Sequence, residues 1–307
     1  MDELELLSEC RLCPRECGAD RFISPSGWCR SGIQPGIASV GPHFGEEPII
    51  SGNKGICNVF FTHCNLQCVF CQNFQISDNK TDLQHCIMPL PEVVRNIAFF
   101  LDQGCHAVGF VSPSHWIPQV KIIISMLKEK GYSPVFLYNS NGYDKVESLR
   151  SLQGYIDIYL PDLKYSESEI AGEFSGAVDY PERAALAIKE MYRQKGSTLI
   201  TDDKGQAVSG LIIRHLVLPG HSENSKKVLR FIATELSKNV HISLMSQYHP
   251  VHHAAEHEGL NSTLSADEYR EVVHEMEKLG LNKGWVQALE SSGHYLPDFD
   301  KEEPFKL

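Results

Sequence analysis

From residue 56 onward, short apolar runs rich in β-branched and aromatic residues alternate with stretches of helical periodicity, which commits the chain to an α/β fold around a mostly parallel sheet. Six runs read as strands: Ile56 to Phe61, Ala107 to Val111, Val135 to Tyr138, Tyr155 to Leu160, Leu211 to Leu218 and His241 to Met245. Helical patterns occupy Pro91 to Gln103, Pro118 to Lys130, Pro181 to Lys195, Glu223 to Ser237 and Ala266 to Leu279, several opened by the proline or capping residue that suits a helix start. Several strands are apolar on both faces, as a sheet covered by helices requires. Tandem βα units coil right-handedly, so six of them make either a partial barrel or an open doubly wound sheet, and periodicity does not separate the two. Thr198 to Val208 reads as a hairpin turning at Asp203 to Gly205, and Gly284 to Leu289 as one extra strand before an extended tail. The expected organisation is a Cys-rich segment over residues 1–55, a βα domain over 56–280, and a C-terminal strand and tail over 281–307.

A formal net charge of −11 argues against a duplex nucleic-acid or anionic-membrane surface, since phosphate-binding proteins carry a basic excess. No run approaches the roughly 18 to 20 apolar residues of a membrane span. The start Met1-Asp2-Glu3-Leu4-Glu5 lacks the basic and apolar regions of a signal peptide, so a cytoplasmic location and small-molecule or protein partners are expected. In that setting the ten cysteines are read as metal ligands rather than a disulfide framework. Seven fall in two clusters; Cys57, Cys86 and Cys105 are scattered and read as small buried hydrophobes.

Cys64, Cys68 and Cys71 form a C-x3-C-x2-C triplet directly after the first strand, at the end of the sheet where α/β folds place active sites. A [4Fe–4S] cluster has four irons, so three thiolates leave one iron free for another ligand. Structural zinc usually takes four ligands in two separated pairs and is the weaker reading. This spacing, with Phe70 just before the last cysteine, resembles the signature of the radical S-adenosylmethionine (SAM) superfamily. The resemblance implies an incomplete (β/α)6 barrel of the TIM type and SAM chelating the open iron. Reductive cleavage of SAM then yields a 5′-deoxyadenosyl radical that abstracts hydrogen.

Other strand ends extend the likeness. Asp162 and Lys164 look like the D-x-K element with which pyruvate formate-lyase activating enzymes hold SAM, and two residues apart on extended chain they point the same way. Arg214 lies in a segment resembling I-R-x-x-V-x-P-G, whose Arg and the residue two beyond it, here Leu216, approach SAM. A charge in so apolar a strand must find a partner, either a SAM oxygen or a carboxylate facing the cluster. Asn139-Ser140-Asn141-Gly142 resembles D-T-N-G, with Asn139 replacing the Asp of a cation site, so Asn139 and Ser140 are carried over as SAM-pocket residues. Where the superfamily has G-G-E to grip the SAM amino group, this chain has Ser112-Pro113-Ser114-His115, whose Ser112, Ser114 and neutral His115 could supply acceptors.

The resemblance is to homologues of pyruvate formate-lyase activating enzyme. It implies as substrate the glycine of a glycyl radical enzyme, and as electron donor a flavodoxin or ferredoxin. Two other readings stay open: modification of another peptide or small metabolite, and a non-catalytic iron–sulfur or zinc protein. Cys10, Cys13, Cys17 and Cys29 give C-x2-C-x3-C-x11-C, which suits a second cluster, a zinc ion, or reduced thiols packed on the barrel mouth; spacing does not choose. On a helix His253 and His257 would share a face and could ligate a metal, although polar lining or solvent exposure is the plainer role for the run His249 to His257. Gln247 and Tyr248, at the end of the sixth strand, are the substrate-pocket candidates.

Overall fold

The computed structural model describes residues 3–289, 296–301 and 303–305. Its strands are β1 (Ile37–His43), β2 (Ile56–Phe61), β3 (Ala107–Val111), β4 (Val135–Ser140), β5 (Ile158–Pro161), β6 (Ile200–Thr201), β7 (Ala207–Leu216), β8 (His241–Met245) and β9 (Gly284–Val286). They form one sheet in the order β1-β2-β3-β4-β5-β7-β8-β9, with β6 hairpinned onto β7. Every neighbouring pair from β2 to β9 on that path is parallel, and β1 runs antiparallel along β2.

Both faces of the sheet are apolar, as the strand composition requires. Val59, Phe61, Val108, Phe110, Tyr138 and Ile213 join a large core with the helices Leu90–Asp102, Ile117–Glu129 and Tyr180–Lys195. Each of these three helices carries a proline in its first turn, where the missing N–H costs no intrahelical bond. On the other face Ile56, Ala107, Leu137, Ile158, Leu160 and Ile212 make a second cluster that Trp285 of β9 also joins. Because side chains from β2 and from distant β9 share that cluster, the sheet curls around it. The curl stops short of closure: among the described residues nothing pairs β1 with β9.

The sheet departs from expectation in several places. The expected extra strand is present as β9, shorter than read at Gly284–Val286, and it adds a seventh parallel strand to the six of the βα domain. The N-terminal segment does not stay outside the sheet, since β1 lies within residues 1–55. Pro42 in β1 is tolerated because an outer strand needs only one side of its ladder. β5 begins at Ile158 because the Tyr155 N–H closes a turn onto the Leu152 carbonyl at 2.9 Å. The helix Ser222–Phe231 continues as a π turn over Ile232–Leu236. Residues 290–295 of the expected tail lie outside the described residues.

Candidate functional site

The loop after β2 is shaped by its own side chains. His63 takes a left-handed φ of 61° as the chain leaves the strand. Asn79 then ties the loop's start, accepting from the Cys64 N–H at 3.1 Å and donating to the Cys64 carbonyl at 2.9 Å. Gln67 crosses to the Ser77 carbonyl at 2.9 Å, and the Cys71 N–H turns back to the Cys68 carbonyl at 3.1 Å. This framework turns Cys64, Cys68 and Cys71 into one cavity of about 710 Å³.

Each thiol meets a polar group from elsewhere. Asn141 Nδ2 lies 3.2 Å from Cys64 Sγ, the Ser175 hydroxyl 3.0 Å from Cys68 Sγ, and the Ser77 hydroxyl 3.0 Å from Cys71 Sγ. Burial, then the neighbouring sulfurs, push the Cys64 thiol up to about 12 and Cys71 to about 11. Cys64 and Cys71 are therefore protonated at neutral pH unless a metal displaces their protons. Among the described residues no three His, Cys, Asp or Glu side chains converge tightly enough for a single metal ion. A cubane instead places each sulfur on a different iron, so a wider set of hydrogen-bonded thiols fits it and does not fit zinc.

Two charge pairs line the same cavity. Lys164 Nζ donates to Asp162 Oδ2 at 2.6 Å just past β5. Burial alone would lower the Lys164 pKa, but the Asp162 carboxylate outweighs it and the net shift is upward. Across the sheet Arg214 is gripped by two buried carboxylates, Glu47 at 2.8 Å and Glu46, whose other oxygen accepts from Asn58 at 2.9 Å. Burial pushes the Glu46 carboxyl up, yet Arg214 with its hydrogen bonds holds it well below the usual carboxylate range. Sequence reasoning missed Glu46 and Glu47 because β1 and the turn after it were not recognised as part of the sheet. It also passed over Asn141, Ser175 and Ser77, which only folding brings to the sulfurs.

Ser112, Asn139, Ser140, Leu216 and Gln247 also line the cavity, whereas Ser114, His115 and Tyr248 do not. Ser112 adopts a left-handed φ of 54°, and Pro113 then carries the chain beneath the site. Ser114 and His115 are each 1% exposed there, and His115 Nε2 faces the Thr62 carbonyl at 3.0 Å. Burial and Arg21 lower the His115 pKa to about 3, so the ring is neutral, as expected, but turned away from any ligand in the cavity. The Tyr248 ring packs on Phe70, and its hydroxyl donates to the Leu260 carbonyl at 2.6 Å. Ser140 Oγ donates to buried Asp144 at 2.7 Å. Gly142, at φ 79°, is required because a Cβ there would sit 2.1 Å from the Asp162 carbonyl oxygen.

His253 and His257 do not share a helix face. The chain makes only a 3-10 turn over Ala254–Glu256, with His253 bonded to Glu256 at 2.8 Å and His257 to Glu173 at 3.2 Å. The C-terminal tail instead reaches the cavity: Gln75 donates to Asp298 at 3.1 Å and to Asp300 at 3.0 Å, and Phe299 packs edge-on and Phe305 tilted against Phe60. Cys10, Cys13 and Cys29 are buried and Cys17 is exposed, all four as free thiols beside the triplet loop. No helix among the described residues is long and apolar enough to cross a membrane.

No family model matches the chain. Among solved structures it is similar to Streptococcus suis SuiB bound to S-adenosylmethionine, with a TM-score of 0.46, 15% identity, and coverage of 77% of this chain and 48% of that one. It is also similar to methylornithine synthase (PylB), with a TM-score of 0.45 and 14% identity over 74% of this chain and 63% of that one. The chain thus spans about half of the first and under two thirds of the second. Among curated proteins it is 30% identical over 282 residues to the uncharacterized protein MJ0674 of Methanocaldococcus jannaschii, covering 90% of this chain and 77% of the relative. At that identity and coverage, the chain belongs to the same family as this archaeal protein.

Proposed function

We propose that the chain is a radical SAM enzyme, with a [4Fe–4S] cluster on Cys64, Cys68 and Cys71 and SAM beside it. One observation carries the reading: three thiols, each beside a polar partner, face a cavity that the Asp162–Lys164 pair also lines. A cluster held by Cys64, Cys68 and Cys71 would leave its fourth iron for SAM and, once reduced, would supply the electron that divides the sulfonium bond into methionine and a 5′-deoxyadenosyl radical.

The chain's own residues bind, orient and exclude water. Lys164 presents an ammonium to an anionic ligand oxygen, and Asp162 keeps a second oxygen able to accept from a hydroxyl or amine. Arg214, clamped by Glu46 and Glu47, is a positioning residue that holds the β7 wall and Leu216 in place. Ser112 is the acceptor left from the Ser112 to His115 loop, while Asn139 and Ser140 shape the pocket between β3 and β5.

The leading substrate is the glycine of a glycyl radical enzyme, with a flavodoxin or ferredoxin as electron donor, on the strength of the three strand-end motifs. A small metabolite is the second reading. It is favoured by the tail, whose Leu296, Pro297 and Phe305 line the cavity and narrow the room for a protein loop.

The test is dithionite-dependent 5′-deoxyadenosine formation by the anaerobically reconstituted chain and by Cys68→Ala. Product in the first and none in the second is expected. A fully loaded cluster that neither cleaves SAM nor changes its electron paramagnetic resonance (EPR) signal on SAM addition would sink the reading. Deuterium transferred from a labelled partner protein would separate the two substrates.

A further inference from the structure

Outside the cavity, four cysteines and two arginines of the N-terminal segment are arranged in a way that the reaction above leaves unexplained. Arg21 is only 2% exposed. Its guanidinium donates to the Gly32 carbonyl at 2.8 and 3.0 Å and to the His115 carbonyl at 2.6 Å, and it stacks over Trp116 at 4.4 Å. All these partners are neutral. Arg15 follows the same pattern, donating to the carbonyls of Asn65 at 3.0 Å and Gly176 at 2.6 Å and lying 3.8 Å over Trp28. Among the described residues neither arginine has a carboxylate ion pair. A buried cation with only neutral partners is costly, so an anion is expected within reach.

What lies within reach is sulfur. Cys29 stands in the field of Arg21, and Cys13 in the fields of Cys29, Cys10 and Cys17. Cys17 packs so closely on the turn before Cys29 that a Cβ on Gly27 would sit 2.9 Å from its Sγ. The four thiols thus form one group although they come from two separate segments, Cys10 to Cys17 and Gly27 to Arg30, whose turns at Cys13 to Glu16 and Gly27 to Arg30 are each closed by a backbone hydrogen bond of 3.0 Å. They are not drawn in to a single point, since no three of them meet the spacing a lone ion needs.

We infer that Cys10, Cys13, Cys17 and Cys29 hold a second [4Fe–4S] cluster, whose anionic thiolate shell is the counter-charge for the buried Arg21. Four thiolates on four irons need the wider group seen here, whereas zinc needs one tetrahedral centre. The assignment stands apart from SAM chemistry, because it uses no residue of the 710 Å³ cavity except through the chain that joins them.

The experiment reconstitutes the full chain with ferrous iron and sulfide under anaerobic conditions and measures iron, sulfide and zinc per chain. It compares wild type, Cys64→Ala/Cys68→Ala/Cys71→Ala, and Cys13→Ala/Cys29→Ala. About eight irons in wild type and about four in the triple variant are expected, with a [4Fe–4S] Mössbauer signal in both. Alkylation mapping of the loaded triple variant should find Cys10, Cys13, Cys17 and Cys29 protected. A triple variant that folds and holds no iron, or holds one zinc instead, overturns the inference. The triple variant decides the matter even if Cys13→Ala/Cys29→Ala does not fold. Should the latter fold and hold no iron at the triplet, the radical SAM reading fails while this one survives.

Discussion

Arg214 and Lys164 are two buried cations on neighbouring strand ends, close enough that Asp162 and Arg214 form a bridge between β5 and β7. Arg214 also lines the cavity, but its Nε and Nη2 are taken by Glu46 and Glu47, and Asn58 holds Glu46 in turn. Lys164 Nζ donates to Asp162 alone among its described partners, and both side chains face the cavity. The two cations are almost equally exposed, at 13% and 15%, but their partners differ, at 4 to 5% for the two Glu side chains against 22% for Asp162. A cation held by two buried carboxylates is tied into the structure; one with a single partner and donors to spare beside a cavity is set up to hold a ligand.

That contrast can be broken most severely at Arg214. Replacing it by Met should cost about 3–5 kcal/mol of unfolding free energy at pH 7, because two buried carboxylates lose their partner. The Glu46 carboxyl is held below its ordinary range in the fold, so its contribution is complete above that range and is lost as pH falls through it toward the folded value. The deficit of Arg214→Met should therefore shrink between pH 7 and pH 4 in urea titrations, while wild type itself loses stability. A deficit that ignored pH would mean that the carboxylates are not what Arg214 holds.

The opposite signature is expected of Lys164→Met. Its unfolding free energy should fall by about 1 to 2 kcal/mol, since the pair, 15% and 22% exposed, keeps some contact with water that softens its loss. SAM affinity measured by calorimetry should drop about tenfold or more, the equivalent of roughly 1.4 kcal/mol. Equal stability losses at Lys164 and Arg214 would erase the distinction between them.

Tyr180→Phe sharpens the contrast further, because the Tyr180 hydroxyl reaches the Asn141 carbonyl at 2.8 Å and accepts from the Lys164 N–H at 3.0 Å. About 1 kcal/mol of stability should be lost, with a smaller change in SAM affinity than Lys164→Met gives. The least effect, about 0.5–1 kcal/mol, is expected for Phe305→Ala, which removes one ring from the aromatic group over Phe60. Its readout is faster quenching of the cavity by a soluble oxidant rather than a shifted melting curve.

β2, β3 and β8 were legible to the residue because they are mostly apolar runs bounded by polar loops, whereas β4 runs on to Ser140, β5 is shifted to Ile158–Pro161 and β7 to Ala207–Leu216. β1 was not legible, since Ile37–His43 mixes serine, glycine, proline and histidine and is only half-buried. Losing β1 concealed Glu46 and Glu47, and with them the answer to which partner Arg214 would take. Ser114 and His115 were misplaced for another reason: sequence places them just after a strand end, but the left-handed turn at Ser112 decides which way they face. The hydroxyl of Tyr248 went the same way, toward the core instead of the cavity.

The tail that walls the cavity has a kinetic consequence. Gln75 and Asp298 are 223 residues apart in sequence, whereas the contacts that set the thiols, Asn141 to Cys64 and Ser175 to Cys68, span 77 and 107. Closing the longer loop is the slower step. The thiol-lined end of the sheet should therefore assemble before its outer wall does, leaving an interval during refolding in which iron and sulfide enter an open mouth. Stopped-flow refolding should show Gln75→Ala lengthening that interval, with metal uptake becoming faster as the wall forms later.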